Sequence, residues 1–313
     1  MTAQGNGTTY YSYIYIVNMP YSVWNAAFLF IGNYGIQGFN NHTQIEYTMI
    51  NVEQLKENFR AVREKSPLVH NITNYVAMNF SANALLAAGA SPVMAHAAEE
   101  VAEMSAIAGA LVINIGTLDT EWVESMVLAG KTKHAAGGIV VLDPVGVGAT
   151  SYRTKTAWRI IEECHPDIIR GNASEIMALL NADIKSKGVD SSCSSSDAVE
   201  SAINLAARTG AVVVISGETD YVTDGNRVET ISNGSRMMPY VTAMGCTASS
   251  MVGAFAAVNP SNLLDAALNA MALMGVAGEI AAARSAGPGS LLTNFIDTLY
   301  NMTEEELAQT VRQ

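Results

Sequence analysis

Basic side chains are scarce in this 313-residue chain: 17 Lys and Arg stand against 29 Asp and Glu, a formal charge of -12 at pH 7. Nucleic acids and anionic membranes attract basic surfaces, so the deficit points to a small-molecule partner. Cysteine is also scarce. Cys164, Cys193 and Cys246 are an odd number at wide spacing, which argues against a disulfide framework or a zinc site and fits a reducing cytoplasm. The first 48 residues contain no Lys or Arg at all, so they lack the basic start of a secretory signal. Their apolar patch, "SVWNAAFLFIG", falls well short of the roughly 20 residues of a membrane span. Residues 1–48 therefore read as a leader outside the domain, with Met49 as a candidate start, and residues 49–313 as one domain.

What is present from Val52 onward is an alternation of helical periodicity with short apolar runs. "PLVHNIT", "SPVMAH", "ALVINIG", "GIVVLDP", "DIIRGN" and "AVVVISG" read as strands, separated by helical segments. Strands that are apolar throughout, in βαβ repetition, predict a mostly parallel sheet covered by helices on both faces. Ligands of such a sheet bind beyond the strand C-termini. "DYVTDGNRVETISNG" predicts a hairpin turning at Asp224-Gly225-Asn226, which adds antiparallel strands at one side. The Ser-rich stretch 185–197 reads as a solvated connector.

Several motifs fail. "AGKT" at 129–132 resembles the end of a P-loop, but Ser125 stands where its first glycine belongs and no strand precedes it. "DPVGVGAT" offers Gly146 and Gly148, but Ser151 replaces the third glycine of a dinucleotide fingerprint. None of His42, His70, His96, His134 and His165 pairs at i, i+4 or with a cysteine at ligand spacing, which argues against a metallohydrolase.

What remains is a set of polar residues just past strand ends. Asp143 follows "GIVVL", Arg170 and Asn172 follow "DII", Glu175 opens the next helix and Ser216 closes "AVVVI". Singly, each has a plain structural explanation as a turn former, a first-turn carboxylate or an ion-pair partner. They converge, however, beside "VTAMGCTASSMVGAF", a helix whose start carries no carboxylate and so stays open to an outside anion. Two carboxylates suit a magnesium ion, an arginine suits phosphate oxygens, and helix amides around Gly245 and Cys246 suit a transferring phosphoryl group. The anion predicted is a nucleotide phosphate.

"SPLVHNITNYVAMNFSANALLAAGASPVMAHAAEEV", "ALVINIGTL", "VVLDPVGVGAT", "IIRGNASEI" and "GPGS", in that order, resemble the hydroxyethylthiazole kinase family of the ribokinase-like superfamily. The resemblance spans roughly Val52 to the C-terminus. It implies a three-layer ribokinase-like sandwich and ATP-dependent phosphorylation of the primary alcohol of 4-methyl-5-(2-hydroxyethyl)thiazole in thiamine biosynthesis and salvage. It further implies that Met94 and Asn74 line the thiazole pocket, that Arg170 and Ser216 contact ATP, and that Asp143 and Glu175 are associated with Mg2+. Cys246 matches the position that many ribokinase-like relatives fill with an aspartate base, and its place at a helix N-terminus predicts a lowered thiol pKa. Family members are homotrimers whose sites are lined by neighbouring subunits, so a homotrimer is implied as well. The chain departs from the family pattern in one loop, where "VTAMGC" puts Ala243 in place of a glycine that would permit close approach or a positive φ. Two rival readings stand beside this one: a kinase of another small alcohol such as a hydroxymethylpyrimidine, and a relative that binds ligand without catalysis.

Overall fold

Each apolar run becomes one strand of a single sheet. The computed structural model describes residues 46–47, 50–181 and 195–312, all within the unit Ile45–Gln313. The strands are β1 (Glu46–Tyr47), β2 (Leu68–Ile72), β3 (Ser91–Val93), β4 (Ala110–Asn114), β5 (Ile139–Asp143), β6 (Ile168–Asn172), β7 (Val212–Ser216), β8 (Asp220–Thr223) and β9 (Arg227–Ile231). Their order across the sheet is β1-β9-β8-β7-β6-β5-β4-β2-β3. From β3 to β7 every pairing is parallel, while β8 is antiparallel to both β7 and β9. The β8–β9 turn is the one expected from Asp224-Gly225-Asn226. Asp224 Oδ1 accepts from the amides of Asn226 and Arg227 at 2.8 and 2.9 Å, and Gly225 takes a φ of 93°. Glu46 and Tyr47, assigned to the leader on sequence grounds, pair in parallel with β9. The rest of that leader, and the Ser-rich stretch as far as residue 194, lie outside the described residues.

The period of two sorts strand side chains between two cores. Val69, Val112, Val141, Ile168 and Val214 face the helices Val52–Lys65, Met78–Ala88, Met244–Val258, Leu263–Ala283 and Pro288–Asn301. Leu111, Ile113, Val140, Leu142, Ile169 and Val213 face the helices Val101–Ile107, Thr120–Ala135, Ser151–Cys164, Ala173–Asn181 and Ser195–Thr209. Three layers follow, as the resemblance implied. Leu263–Ala283 is long and apolar enough to cross a membrane by length and composition, but its apolar residues are buried in the first core.

Helix starts differ in a way that matters for the site. Those at Val52, Thr120, Ser151, Leu263 and Glu304 begin behind side-chain caps from Asn51, Asp119, Thr150, Asn262 and Thr303. Met244–Val258 begins behind Ala243 with no side-chain cap and no acidic residue in its first turn. "AGKT" lies inside the Thr120–Ala135 helix, so it is not a phosphate loop.

The Met244–Val258 helix lies almost flush on the sheet at Gly253. A Cβ there would approach Val112 Cγ2 to 2.7 Å and Val69 Cγ1 to 3.3 Å. Gly253→Ala should therefore destabilise the fold by about 1–3 kcal/mol through overpacking, outweighing alanine's better helix propensity. Denaturant unfolding checks this: a variant as stable as the parent would show that the helix has room to lift.

Candidate active site

Parity decides which face of the sheet carries the chemistry. Asn114 continues the series Ala110, Val112; Asp143 continues Ile139, Val141; Arg170 continues Ile168; and Ser216 continues Val212, Val214. All four side chains thus belong to the face that holds the Met244–Val258 helix, and all stand at or near the C-terminal ends of parallel strands. Arg170 lies against the uncapped start of that helix, and Asp143 bonds Ser249 further along it.

A chain of hydrogen bonds runs through the centre of the site. Asp143, 1% exposed, accepts at Oδ2 from Asn114 Nδ2 and from Ser249 Oγ, both at 2.7 Å. Asn114 Oδ1 accepts from Asn74 Nδ2 at 2.9 Å and from the Gly116 amide at 2.9 Å. Asn74 Nδ2 also reaches Cys246 Sγ at 3.3 Å, while Asn74 Oδ1 accepts from the Ala77 amide at 3.0 Å. That last bond closes a turn, which is why the following helix starts at Met78 rather than at Asn74.

Burial governs the charges here. It pushes the Asp143 carboxyl up to about 6; Arg170 pulls it back, Glu175 adds to the rise, and the bonds from Ser249 and Asn114 favour the ionised form. The lowered thiol pKa expected of Cys246 does not occur. Burial first, and the nearby Asp143 second, push the thiol up to about 11, outweighing the donors Asn74 and Asn114. Cys246 is therefore a neutral thiol at neutral pH.

Arg170 is only 7% exposed, and its Nε is buried without a hydrogen-bond partner among the described residues. It lies against the helix start: a Cβ on Gly245 would sit 3.0 Å from Nη1. Asp220, at the start of β8, is a second buried carboxylate in its field, pushed up to about 6 by burial while the Gly217 amide and Arg170 pull the other way. The first helical bond runs from Thr247 N to Ala243 O at 2.8 Å, so the amides of Met244, Gly245 and Cys246 have no helical acceptor. Ala243 itself has φ 67° and ψ 0°, the left-handed conformation that a glycine adopts without cost.

Glu175 turns out to be engaged on both oxygens. Oε1 accepts from the Gly146 amide and Oε2 from the Asn172 amide, each at 2.8 Å, while Asn172 Oδ1 accepts from the Glu175 amide at 2.9 Å. This is a capping box that also ties the loop after β5 to the loop after β6. The two loops border a cleft of about 340 Å³. Arg153 ties the loop after β5 to the end of β4, donating to Ile115 O and Val145 O at 2.7 Å and to Gly116 O at 2.9 Å. Ser216 stands beside Asn172 in register, with Oγ 3.4 Å from Gly171 O. Met94 follows β3 at the sheet edge, two strands from Asn114, and makes no side-chain hydrogen bond to this cluster.

Four residues of the site were missed on sequence grounds: Asn114, Ser249, Arg153 and Asp220. Asn114 carried a signal, a polar residue ending the buried run "ALVIN" as Asp143 ends "IVVLD". The other three left none: Ser249 reaches Asp143 across 106 residues, and Arg153 and Asp220 meet the site through the packing of separate elements.

Free acceptor capacity shows what the carboxylates can hold. Both donors to Asp143 fall on Oδ2, leaving Oδ1 without a protein donor among the described residues, and each Glu175 oxygen retains a lone pair. Hard oxygens of this kind suit a divalent cation such as Mg2+. Among the described residues no three His, Cys, Asp or Glu side chains cluster as a complete metal site, so such a cation would draw its remaining ligands from water and substrate phosphate.

Known proteins resemble this chain over most of its length. A sequence profile of the hydroxyethylthiazole kinase family matches residues 59–305. Hydroxyethylthiazole kinases from Syntrophus aciditrophicus and Vibrio campbellii are each 54% identical to the chain, over 81% and 83% of its length and 94% and 98% of theirs. A solved hydroxyethylthiazole kinase from Pyrococcus horikoshii OT3 superposes with a TM-score of 0.77 at 41% identity, covering 83% of this chain and 98% of that one. With a matched profile across the sheet, the uncapped helix and every strand-end residue described above, the chain belongs to the hydroxyethylthiazole kinase family.

Proposed function

We propose that the protein transfers the γ-phosphoryl group of ATP to the hydroxyl of 4-methyl-5-(2-hydroxyethyl)thiazole, a step of thiamine biosynthesis and salvage. The observation that carries the phosphate half of this reading is Arg170. A guanidinium buried against an uncapped helix start, with Nε unpartnered, is a costly arrangement without an anion and a favourable one with it. The alcohol half is supported by family membership.

The residues divide the work. Arg170 and the amides of Met244, Gly245 and Cys246 hold the phosphates, with Ser216 at the nucleotide side, and the amides supply preorganised stabilisation of the transferring group. Asp143 and Glu175 hold Mg2+, directly or through its waters, and the ion when bound neutralises phosphate charge. Asn74, Met94 and Ala243 border the thiazole. Cys246, neutral at working pH, is not a strong base, and a loose phosphoryl-transfer transition state needs little deprotonation of the alcohol in any case. The protein works as a cytoplasmic homotrimer with shared sites. In support, Tyr75 and Val76, directly after Asn74, and Tyr240, just before the helix-start loop, are 61%, 62% and 77% exposed, apolar area that a neighbouring subunit would cover.

A coupled assay of ADP release, with and without the thiazole alcohol, tests the reading; alcohol-independent release, or none, would refute it. Arg170→Ala should raise the ATP KM by about tenfold or more, as expected for lost charge-assisted bonds of about 1.5–3 kcal/mol, and leave the thiazole KM nearly unchanged. Steady-state kinetics with each substrate varied in turn checks this. Cys246→Ala should cost less in kcat than Asp143→Ala at saturating ATP and Mg2+; the reverse order would make the thiol essential. Ala243→Gly should stabilise the fold by up to about 1 kcal/mol, since φ 67° is strained for alanine, with a lower thiazole KM or a higher kcat. Thermal unfolding measured beside kinetics separates the two effects.

A further inference from the structure

We infer that Asn114 is the positioning residue of this site, the one side chain that fixes both the free oxygen of Asp143 and the amide that contacts Cys246. The inference rests on the nucleotide reading above and concerns how the site is held ready for Mg2+ and phosphate.

Asn114 is 1% exposed, and every polar atom of its amide is engaged with the site: Nδ2 on Asp143 Oδ2, Oδ1 under Asn74 Nδ2 and the Gly116 amide. Its orientation is over-determined. Turning the amide over would place Oδ1 against a carboxylate oxygen and Nδ2 against two N–H donors, three repulsive contacts for three attractive ones. The same logic fixes Asn74, whose Oδ1 is claimed by the Ala77 amide, so that its Nδ2 must face Asn114 and Cys246 Sγ. The sulfur thus accepts from Asn74, and its own S–H points elsewhere.

At the other end, Asn114 and Ser249 share one oxygen of Asp143, one from the sheet and one from the helix. A carboxylate held twice on Oδ2 presents Oδ1 in a single direction. Without Asn114 the Ser249 bond alone remains, and the carboxylate can rotate about it. Asn114 is therefore the junction between the sheet and the helix start, and its loss should disturb metal-assisted binding and turnover together.

Gly116 gives a second way to break the chain without deleting any member. A Cβ there would meet Asn74 Nδ2 at 2.6 Å and Asn74 Cβ and Cγ at 2.9 Å, so Gly116→Ala must push the Asn74 amide away from Asn114. Asn71 is the control: it is an equally buried amide on β2, bonded to Ser250 of the same helix but outside the chain.

The test is calorimetric titration of the full chain with ADP, in Mg2+ and in EDTA, beside kcat measured with saturating substrates. Mg2+ should tighten ADP binding by the parent tenfold or more. Asn114→Ala should reduce that gain at least fivefold, change affinity in EDTA less than twofold, and lower kcat at least tenfold. Gly116→Ala should lower kcat at least fivefold. Asn71→Ala should lower the melting temperature and leave the Mg2+ gain within twofold. If Asn114→Ala behaves like Asn71→Ala, Asn114 is a structural residue only and the inference is overturned. If Asn114→Ala does not fold, Gly116→Ala decides, and wild-type kcat in that variant overturns it. A parent chain that binds no ADP in either condition refutes the nucleotide reading itself, and this inference with it.

Discussion

The close seat of the Met244–Val258 helix on the sheet is the constraint from which the site follows. Gly253 lets the helix approach β2 and β4 to within a methyl group of contact, and Thr247, Ser249 and Ser250 on the same helix are wholly buried. At that distance short side chains are enough to bridge the layers. Ser249 reaches Asp143, Ser250 reaches Asn71 and Thr247 meets Ser81. The same approach sets Gly245 against Arg170 and Cys246 against Asn74. A helix raised by larger residues would leave these polar groups buried and unsatisfied, each at a cost of about 1–3 kcal/mol.

Charge at this interface is buried and incompletely paired. Asp143 and Asp220 are buried carboxylates on either side of one buried guanidinium, whose Nε has no partner among the described residues. Buried charge of this kind ordinarily destabilises a fold unless fully paired. Here the pairing is left open at the helix start, where three amides also lack helical acceptors among the described residues. On the proposed reading, the arrangement gives up folding stability for affinity toward a phosphate.

Burial also changes the meaning of individual residues. A helix N-terminus by itself would favour a thiolate at Cys246, yet loss of water around the sulfur and the neighbouring Asp143 dominate, and the thiol stays neutral. Glu175 stands where a metal carboxylate was expected, and its two oxygens already hold the amides of Gly146 and Asn172. The two roles are compatible, because each oxygen has a second lone pair, and the capping bonds keep the carboxylate from moving.

The apolar runs "ALVINIG", "GIVVLDP" and "DIIRGN" were sufficient to place parallel strands, because a strand buried on both faces has few alternatives, and Asp143, Arg170 and Ser216 stood out as polar residues near strand ends. The uncapped helix was equally legible, since capping is a local property of four or five residues. At Ala243 the sequence left close approach and a positive φ open, and the structure shows the positive φ. Helix boundaries were less legible: the side chain of Asn74 closes a turn on Ala77, and the helix starts only at Met78. What only the tertiary structure decided was which polar groups touch. Asn114 and Ser249 are separated by more than a hundred residues yet share one oxygen of Asp143, and the Cys246 thiol takes its protonation from burial and from a carboxylate at the end of β5. Sequence pattern fixes periodicity and local dihedrals because these depend on near neighbours; hydrogen-bond partners and desolvation depend on the packed interior, and exist only once the helix has closed on the sheet.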